Sequence, residues 1–541
     1  MSAGPEILNA PRTAPPLLWE QFAQHAEASP ERTAVHDRGV DVSYGELHAR
    51  AERFAAWLES IGCLPGDRVV LLLPNSATYV AAWLGILRAG AAVVAVNPDS
   101  TAEEIAFVIR DCRPVAAVLD PKGMGRFADA LHTLNQLGEP LPLYLVYTGA
   151  ASAASDLSGG RILPWDFATS DAPAAGPLPA GNSLAQIIYT SGTTGPPKGV
   201  MLSHANIAAN CAAILSYLSL TEHDSVLVVL PFYYSYGNSL LFTHLACGGR
   251  LVLAPDFVFL NRVLDLLQKQ EVTGFAGVPS SYALLLQRSD LKSRTFPSLR
   301  YLTCAGGSLP RAHVNAVRET LPKAELFLMY GQTEATARLS TLLPEDLDRK
   351  AGSIGRGIDG VTLQVLDDAG VSVPPGEVGE IVASGDNVMA GYWNDPAGTQ
   401  RTLGPQGLHT GDLATIDDEG FIFIVGRSND LIKSGAFRVH PLEIEASIIE
   451  VAGVAEAAVV GMDDPVWGER PVAFVVPAAD APADLAARVM THCRVRLARH
   501  KQPREVEIVD CLPRTASGKV RRSQLKSNAA EHQLPQGPAN A

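Results

Sequence analysis

Residues 186–199 read QIIYTSGTTGPPKG. The first five, Gln186 to Thr190, are β-rich and largely apolar, and they read as a short buried strand. From Thr190 to Gly199 the chain gathers three glycines, four hydroxyls (Thr190, Ser191, Thr193, Thr194) and Lys198. Gly192 and Gly195 let consecutive backbone N–H groups converge on an anion, the hydroxyls add donors, and Lys198 adds a point charge. Strand, small-residue loop and lysine in this order predict a phosphate-binding loop, with the residues beyond Gly199 read as helical. It is not a Walker loop, because Pro197 and Gly199 flank Lys198 where that motif needs Gly and Ser/Thr. A flexible Gly/Thr linker is the bland alternative, yet a linker needs no such set directly after a buried strand.

Outward from this loop, short β-rich runs alternate with helical ones. Residues 43–60 have helical apolar spacing, with Ser43 as N-cap and Glu46 three residues on. Strands follow at 64–74 and 91–98, around a helix from Ala77 to Leu87, and again at 224–231, 249–255, 298–307 and 324–331. This alternation predicts an α/β body with layered, mainly parallel sheets. Around residue 370 the pattern becomes short strands with turn residues, which predicts a small antiparallel, barrel-like section. Beyond it a helix (443–450) and two strands predict a small α+β domain. The expected division is 1–429 and 430–541, with Ser527 to Ala541 as a frayed tail.

Composition narrows the function. Apolar residues make up 47% and charged residues 18%, which builds a large core rather than a disordered chain. The net charge of -14 gives no bulk field for nucleic acid or an anionic membrane. Ten basic residues against three acidic ones between Arg494 and Lys526 suggest a local anion site or a solvated helix face. Seven scattered cysteines form no CxxC pair, so neither a zinc site nor a disulfide framework is expected. Residues 1–16 lack an apolar signal core, and the most apolar stretch, Tyr79 to Val96, carries Arg88. The expected location is cytoplasmic.

Four further stretches stand downstream of the loop. They are Tyr330-Gly331-Gln332-Thr333-Glu334, His409-Thr410-Gly411-Asp412 with Gly426-Arg427, Asp430-Leu431-Ile432-Lys433-Ser434-Gly435, and Pro513-Arg514-Thr515-Ala516-Ser517-Gly518-Lys519. Each alone has a plain structural reading, such as a strand end, a turn or a surface cation. Together and in this order, from about residue 17 to 526, the chain resembles the adenylate-forming enzymes. These include acyl- and aryl-CoA synthetases, adenylation domains of nonribosomal peptide synthetases, and firefly luciferase. The resemblance implies that residues 191–198 hold the β- and γ-phosphates of ATP, that Tyr330 stacks on adenine and that Thr333 lies near the α-phosphate. It further implies that Glu334, a hard oxygen ligand, helps to hold Mg²⁺, and that Asp412 and Arg427 hold the ribose. Gly306, Gly307, Ser308, Gly331 and Gln332 would flank the nucleotide. Asp430 would be the pivot of the small domain, Lys433 and Gly435 would lie by the thiol tunnel, and Lys519 would be the catalytic lysine. Ala436, where many relatives have a second Gly, and Asn429, where Lys is frequent, depart from the pattern.

The same resemblance places an acyl pocket at Tyr234, Ser235, Gly237, Tyr282, Cys304, Ala305, Met329 and Ala337. Amino-acid-activating relatives have Asp near Ser235. A buried ammonium without a carboxylate partner is costly, so an α-amino acid is not expected here. The implied reaction is ATP-dependent activation of a hydrophobic carboxylic acid to an acyl-adenylate, followed by transfer to coenzyme A. An acyl carrier protein or a partner enzyme stays open as acceptor, as do a homodimer, a luciferase-like oxygenase, ADP-forming phosphoryl transfer and nucleotide binding without catalysis.

Overall fold

The computed structural model describes residues 14–139, 143–148, 161–168, 174, 176–190, 196–254, 257–434, 437–478, 481–514 and 520–533. Among these residues the chain forms four sheets. One has eight strands, in the order Gly391–Tyr392, Lys198–Ser203, Leu184–Thr190, Ala92–Ala95, Arg68–Leu72, Ala116–Leu119, Tyr144–Tyr147 and Arg161–Pro164. The last six run parallel, and the first two are antiparallel additions at one edge. A second sheet has nine strands, and its middle six (Glu325–Tyr330, Tyr301–Cys304, Gly274–Gly277, Ser225–Val228, Arg250–Leu253, Thr33–Asp37) are parallel.

The two sheets are buried on both faces, which is why their strands read as continuous apolar runs. Between them lie the helices Leu18–Ala28, Tyr44–Ser60, Ala77–Arg88, His204–Leu218 and Ser235–Ala246, packed around Phe22, Phe54, Trp83 and Phe242. Ala102–Cys112 and Met124–Gln136 cover the outer face of one sheet, and Leu260–Lys269, Pro279–Arg288 and Arg311–Thr320 that of the other. The α/β reading of the sequence is therefore met, including the Ser43 cap. There Ser43 Oγ accepts from the Glu46 N–H, and the Glu46 carboxylate accepts from the Ser43 N–H, both at 3.2 Å.

Residues after Gly199 are not helical. They form the strand Lys198–Ser203, which returns antiparallel to Leu184–Thr190 with Thr190 opposite Lys198. Val200 and Leu202 are buried, so an extended backbone satisfies the core there, and the helix begins only at His204, capped by Ser203. The phosphate-loop sequence thus spans the two arms of a hairpin. Gly199 is required at that point, since a Cβ would lie 2.8 Å from Ile187 Cγ2 and 3.2 Å from Trp393 Cβ.

A five-stranded antiparallel sheet follows, built from Val361–Leu366, Gly379–Gly385, Leu403–Gly404, Gly407–Ile416 and Ile422–Arg427. The last sheet contains Ile432–Ser434, Phe437–Val439, Val454–Asp464, Gly468–Pro477 and Glu505–Ile508. Its helices Pro441–Ile449 and Leu485–Arg496 complete one core, and Arg522–Gln533 packs Leu525 and Ala529 against Phe474 and Leu512 in another. Residues 527–533, read as tail, are therefore helix, held by the burial of Ala529. The basic stretch is largely neutralised within this unit. Arg496, Lys501, Arg514, Arg522 and Lys526 pair with Glu450, Glu443, Glu456, Glu445 and Glu469.

Candidate active site

The carboxyl ends of the parallel strands meet at one place, where open α/β sheets bind ligands. Leu184–Thr190 ends at Thr190, Tyr301–Cys304 runs into Gly306, and Glu325–Tyr330 runs into the 3-10 turn Thr333–Ala335. Gly331 lets that turn fold back on the chain, because a Cβ there would lie 2.0 Å from the Ala337 carbonyl oxygen. Gly306 takes φ +86°, open to glycine at no steric cost, and Gly306, Gly307 and Ser308 are exposed.

On one side of the turn, the Tyr330 hydroxyl donates to Asp412 Oδ2 at 2.6 Å, and Arg427 Nε donates to Asp412 Oδ1 at 2.9 Å. Asp412 is 4% exposed. Burial and the neighbouring Asp412 carboxylate hold the Tyr330 hydroxyl well above its ordinary pKa, so it stays a donor. A carboxylate with two donors has lone pairs to spare. Asp412 therefore fits a further pair of hydroxyls, as a ribose would present.

On a second side, Glu334 Oε1 accepts from the Tyr392 hydroxyl at 2.9 Å. Lys198 Nζ lies 4.7 Å above the Tyr392 ring and 3.7 Å from Asp395 Oδ2. Burial and the Glu334 charge raise the Tyr392 pKa, which keeps that proton on the phenol. Tyr392 and Asp395 were not singled out in the sequence, and the only signal for them is the run Gly-Tyr-Trp-Asn-Asp at 391–395. Among the described residues no cluster of three or more His, Cys, Asp or Glu could hold a metal ion. The single carboxylate of Glu334 fits Mg²⁺ that shares its coordination with substrate phosphates and water.

On the third side, Thr333 Oγ1 donates to Ser235 Oγ at 3.3 Å, joining the turn to the proposed acyl segment. Tyr234 precedes the helix Ser235–Ala246 and lies 4.6 Å from the Tyr233 ring. Gly237 serves packing, since a Cβ would stand 2.0 Å from the Pro231 carbonyl oxygen. The hydroxyls of Tyr236 and Tyr282 both donate to the Thr303 carbonyl at 2.9 Å. Cys304, Ala305, Met329 and Ala337 are buried beside them, with burial pushing the Cys304 thiol pKa up. Arg338, missed in the sequence, is buried here too.

Ser191 to Gly195, Gly435 and Lys519 lie outside the described residues. Arg514 and Val520, on either side of the segment containing Lys519, pair as a β-bridge. Burial raises the Tyr234 pKa, and the charge of Arg521 opposes it. Lys433 does not join the cluster; its backbone N–H donates to Glu469 within the C-terminal sheet and its side chain is exposed.

The family model described as AMP-binding enzyme matches residues 22–393, and the one described as AMP-binding enzyme C-terminal domain matches residues 443–519. A feruloyl-CoA synthase from an Amycolatopsis species is 33% identical over 93% of this chain and 97% of its own. ATP-bound MatB from Rhodopseudomonas palustris superposes with a TM-score of 0.84 at 31% identity, over 95% of this chain and 99% of that one. The o-succinylbenzoate CoA synthetase of Bacillus subtilis has been solved with its acyl-adenylate intermediate, with a TM-score of 0.80 at 29% identity over 95% of this chain and 99% of that one. Its complex with ATP and a magnesium ion gives a TM-score of 0.79 at 29% identity, over 94% of this chain and 99% of that one.

Proposed function

This chain belongs to the AMP-binding enzyme family, and from that premise we propose how its residues divide the work of an AMP-forming acid–CoA ligase acting on a hydrophobic, non-amino carboxylic acid. The ligase uses ATP, Mg²⁺ and coenzyme A. A free carboxylate resists attack by a thiol, because its charge repels the nucleophile and oxide leaves poorly. In the first step one carboxylate oxygen attacks the α-phosphorus of ATP and pyrophosphate departs. In the second the thiol of coenzyme A attacks the acyl carbon, AMP departs, and the thiol proton is released.

One observation carries this reading: the stretch Tyr330 to Glu334 touches three partners at once, Tyr330 meeting Asp412 with Arg427, Glu334 meeting Tyr392 beside Lys198, and Thr333 meeting Ser235. Asp412 and Arg427 anchor the ribose, Tyr330 borders the adenine, and Lys198 with residues 190–195 takes the outer phosphates. Mg²⁺, when bound at Glu334, offsets phosphate charge. Thr333 orients the α-phosphate against the acid lying along Ser235. Ser235 is neutral, so the pocket offers no counter-ion to an α-ammonium group at that point.

The division of the chain falls at Asp430. Residues 432–533 have their own sheet and cores, which supports it. Asp430 Oδ2 lies 3.6 Å from Arg522 Nη1, and Arg522 Nη2 donates to Glu445 at 2.7 Å, so the pivot is tied to the small domain. Lys519 steadies the attacking carboxylate and the α-phosphate, then leaves as the domain turns about Asp430. Free coenzyme A is the acceptor. Among the described residues no helix is long and apolar enough to cross a membrane, and a cytosolic location belongs to the same reading. The test is a panel of aromatic, long-chain and short carboxylic acids, scored for pyrophosphate and AMP with and without coenzyme A. Acid-dependent AMP and a thioester are expected, whereas ADP as the product would replace this reading with phosphoryl transfer.

A further inference from the structure

Arg338 follows Ala337 just past the turn that carries Glu334, and it is 3% exposed. Its guanidinium has five N–H donors and a permanent charge. Nε donates to the Met329 thioether at 3.2 Å, Nη2 to Ser239 Oγ at 3.2 Å, and Nη1 reaches the Ala337 carbonyl only at 3.5 Å. The sulfur is a weak acceptor, and it already receives, at 3.0 Å, the Tyr217 hydroxyl, whose oxygen also faces the Arg338 guanidinium as a neutral acceptor. Cζ stands 4.1 Å from the centroid of the Tyr236 ring, whose face attracts the cation but offers no proper acceptor to its fork of donors.

No carboxylate among the described residues pairs with Arg338. Elsewhere this fold treats a buried arginine differently. Arg88, 9% exposed, pairs with Glu52 at 2.9 Å and donates to the carbonyls of Ala174 and Gly176. Each guanidinium nitrogen of Arg338 has a neutral partner, but the buried charge has no counter-ion among the described residues, which is costly, and an anionic substrate would offset that cost.

Its position says what that is. Ser235, at the start of its helix, meets Thr333 at the reacting end of the site. Ser239, one turn further along the same helix, meets Arg338. Four residues of helix advance ~6 Å, so the guanidinium lies a few carbons beyond the reacting carboxylate. Met329 and Ala337, which it touches, belong to the acyl side.

We infer that Arg338 is a specificity-determining residue that receives a second carboxylate, so that the preferred substrate is a dicarboxylic acid with a short hydrocarbon spacer, activated at one end only. This rests on the acid–CoA ligase reading and replaces its purely hydrophobic acid with one that is apolar along the spacer and charged at the far end. The carboxylate near Thr333 attacks phosphorus. The distal one keeps its charge, forms no bond, and leaves unchanged in the thioester product.

The test is pyrophosphate release from Mg·ATP with coenzyme A, across straight-chain dicarboxylates from succinate to suberate, the matched monocarboxylates and the matched ω-hydroxy acids. The best dicarboxylate is expected to exceed its monocarboxylate in kcat/KM by about 100-fold, since a site built for a polar group rejects the analogue lacking it. Equal or better turnover of the monocarboxylate or the hydroxy acid overturns the inference, as does no turnover of any dicarboxylate in the series. Arg338→Met should lose about 100-fold on the dicarboxylate and keep or gain activity on the monocarboxylate, and Arg338→Lys should recover part of the loss. A parallel loss on both acids gives Arg338 a structural role and overturns the inference. The wild-type comparison stands even where Arg338→Met folds poorly. Failure of the ligase reading has another signature, the absence of AMP with every acid, long-chain and aromatic ones included.

Discussion

Tyr330 and Arg427 both donate to Asp412, and that charge is paired within the chain. Across the same turn Arg338 is buried with a sulfur, two hydroxyls, a backbone carbonyl and a ring for company, and no carboxylate among the described residues. The side proposed for the nucleotide is wired without a ligand, while the side proposed for the acid holds a cation with no carboxylate partner among the described residues. A pre-paired Asp412 holds its geometry without ligand and is not destabilised by an empty site. Arg338, buried without a counter-ion among the described residues, would couple occupancy to stability, because on the inference above only the acid supplies an opposite charge. On the proposed reading, rigid anchors would serve the nucleotide, and choice among acids would fall to a buried cation without a counter-ion among the described residues.

The largest break in this arrangement is Lys519→Ala. The charge gathering at phosphorus in the transition state would lose its mobile cation, and acid-dependent ATP–pyrophosphate exchange is expected to fall by about 10³-fold. Thioester formation from a supplied acyl-adenylate should stay within a few fold. Equal losses in both assays would remove Lys519 from the first step. Next comes Asp412→Asn, which keeps the shape but takes the counter-charge from Arg427 and turns one acceptor into a donor. The expected fall in kcat/KM for ATP is about 100-fold, with kcat/KM for the acid at saturating ATP far less affected. An equal effect on both substrates would show that the two sides are not separate. Tyr392→Phe removes one hydroxyl from Glu334 and leaves the ring beneath Lys198. About 10-fold in adenylation rate is expected, partly recovered at high Mg²⁺, and an unchanged rate would take Tyr392 out of the site.

These contrasts follow how each side is written in the sequence. Tyr330, Asp412 and Arg427 sit in short runs whose order along the chain resembles the adenylate-forming enzymes, so the resemblance marks them although each alone reads as a strand end, a turn or a surface cation. Arg338 stands in Ala-Thr-Ala-Arg-Leu-Ser, where a single cation among small residues reads as a solvent-facing side chain. Its burial comes from Met329 and from Ser239 and Tyr236 on another helix, contacts that no local pattern records. The residues after Gly199 read as helical in the sequence, whereas Lys198 to Ser203 is a strand. Three apolar residues before a capped helix carry no period, and the pairing with Leu184–Thr190 decides the outcome. Tyr392 escaped notice because its strand is two residues long and gains its place by pairing with Val200. The layered α/β body was readable throughout, since strands buried on both faces and helices with caps leave strong local signatures.

The smallest expected effect concerns the basic stretch. An anion site there would make its cations costly to remove from activity, whereas neutralised pairs make them cheap everywhere. Arg496 and Glu450 are paired at 3.1 Å with side chains 59% and 50% exposed, which leaves both well hydrated. Exposed pairs of this kind contribute about 0–1 kcal/mol and are screened by salt. Arg496→Ala should therefore shift the denaturation midpoint slightly at low ionic strength and not at all in molar salt, with adenylation and thioester rates unchanged. A clear rise in KM for ATP or coenzyme A in this variant would mean that the pairing with Glu450 gives way to a ligand. The positive charge of the small domain would then join Asp412 and Arg427 as part of the nucleotide side, and the line drawn between a pre-wired site and an ordinary surface would have to be moved.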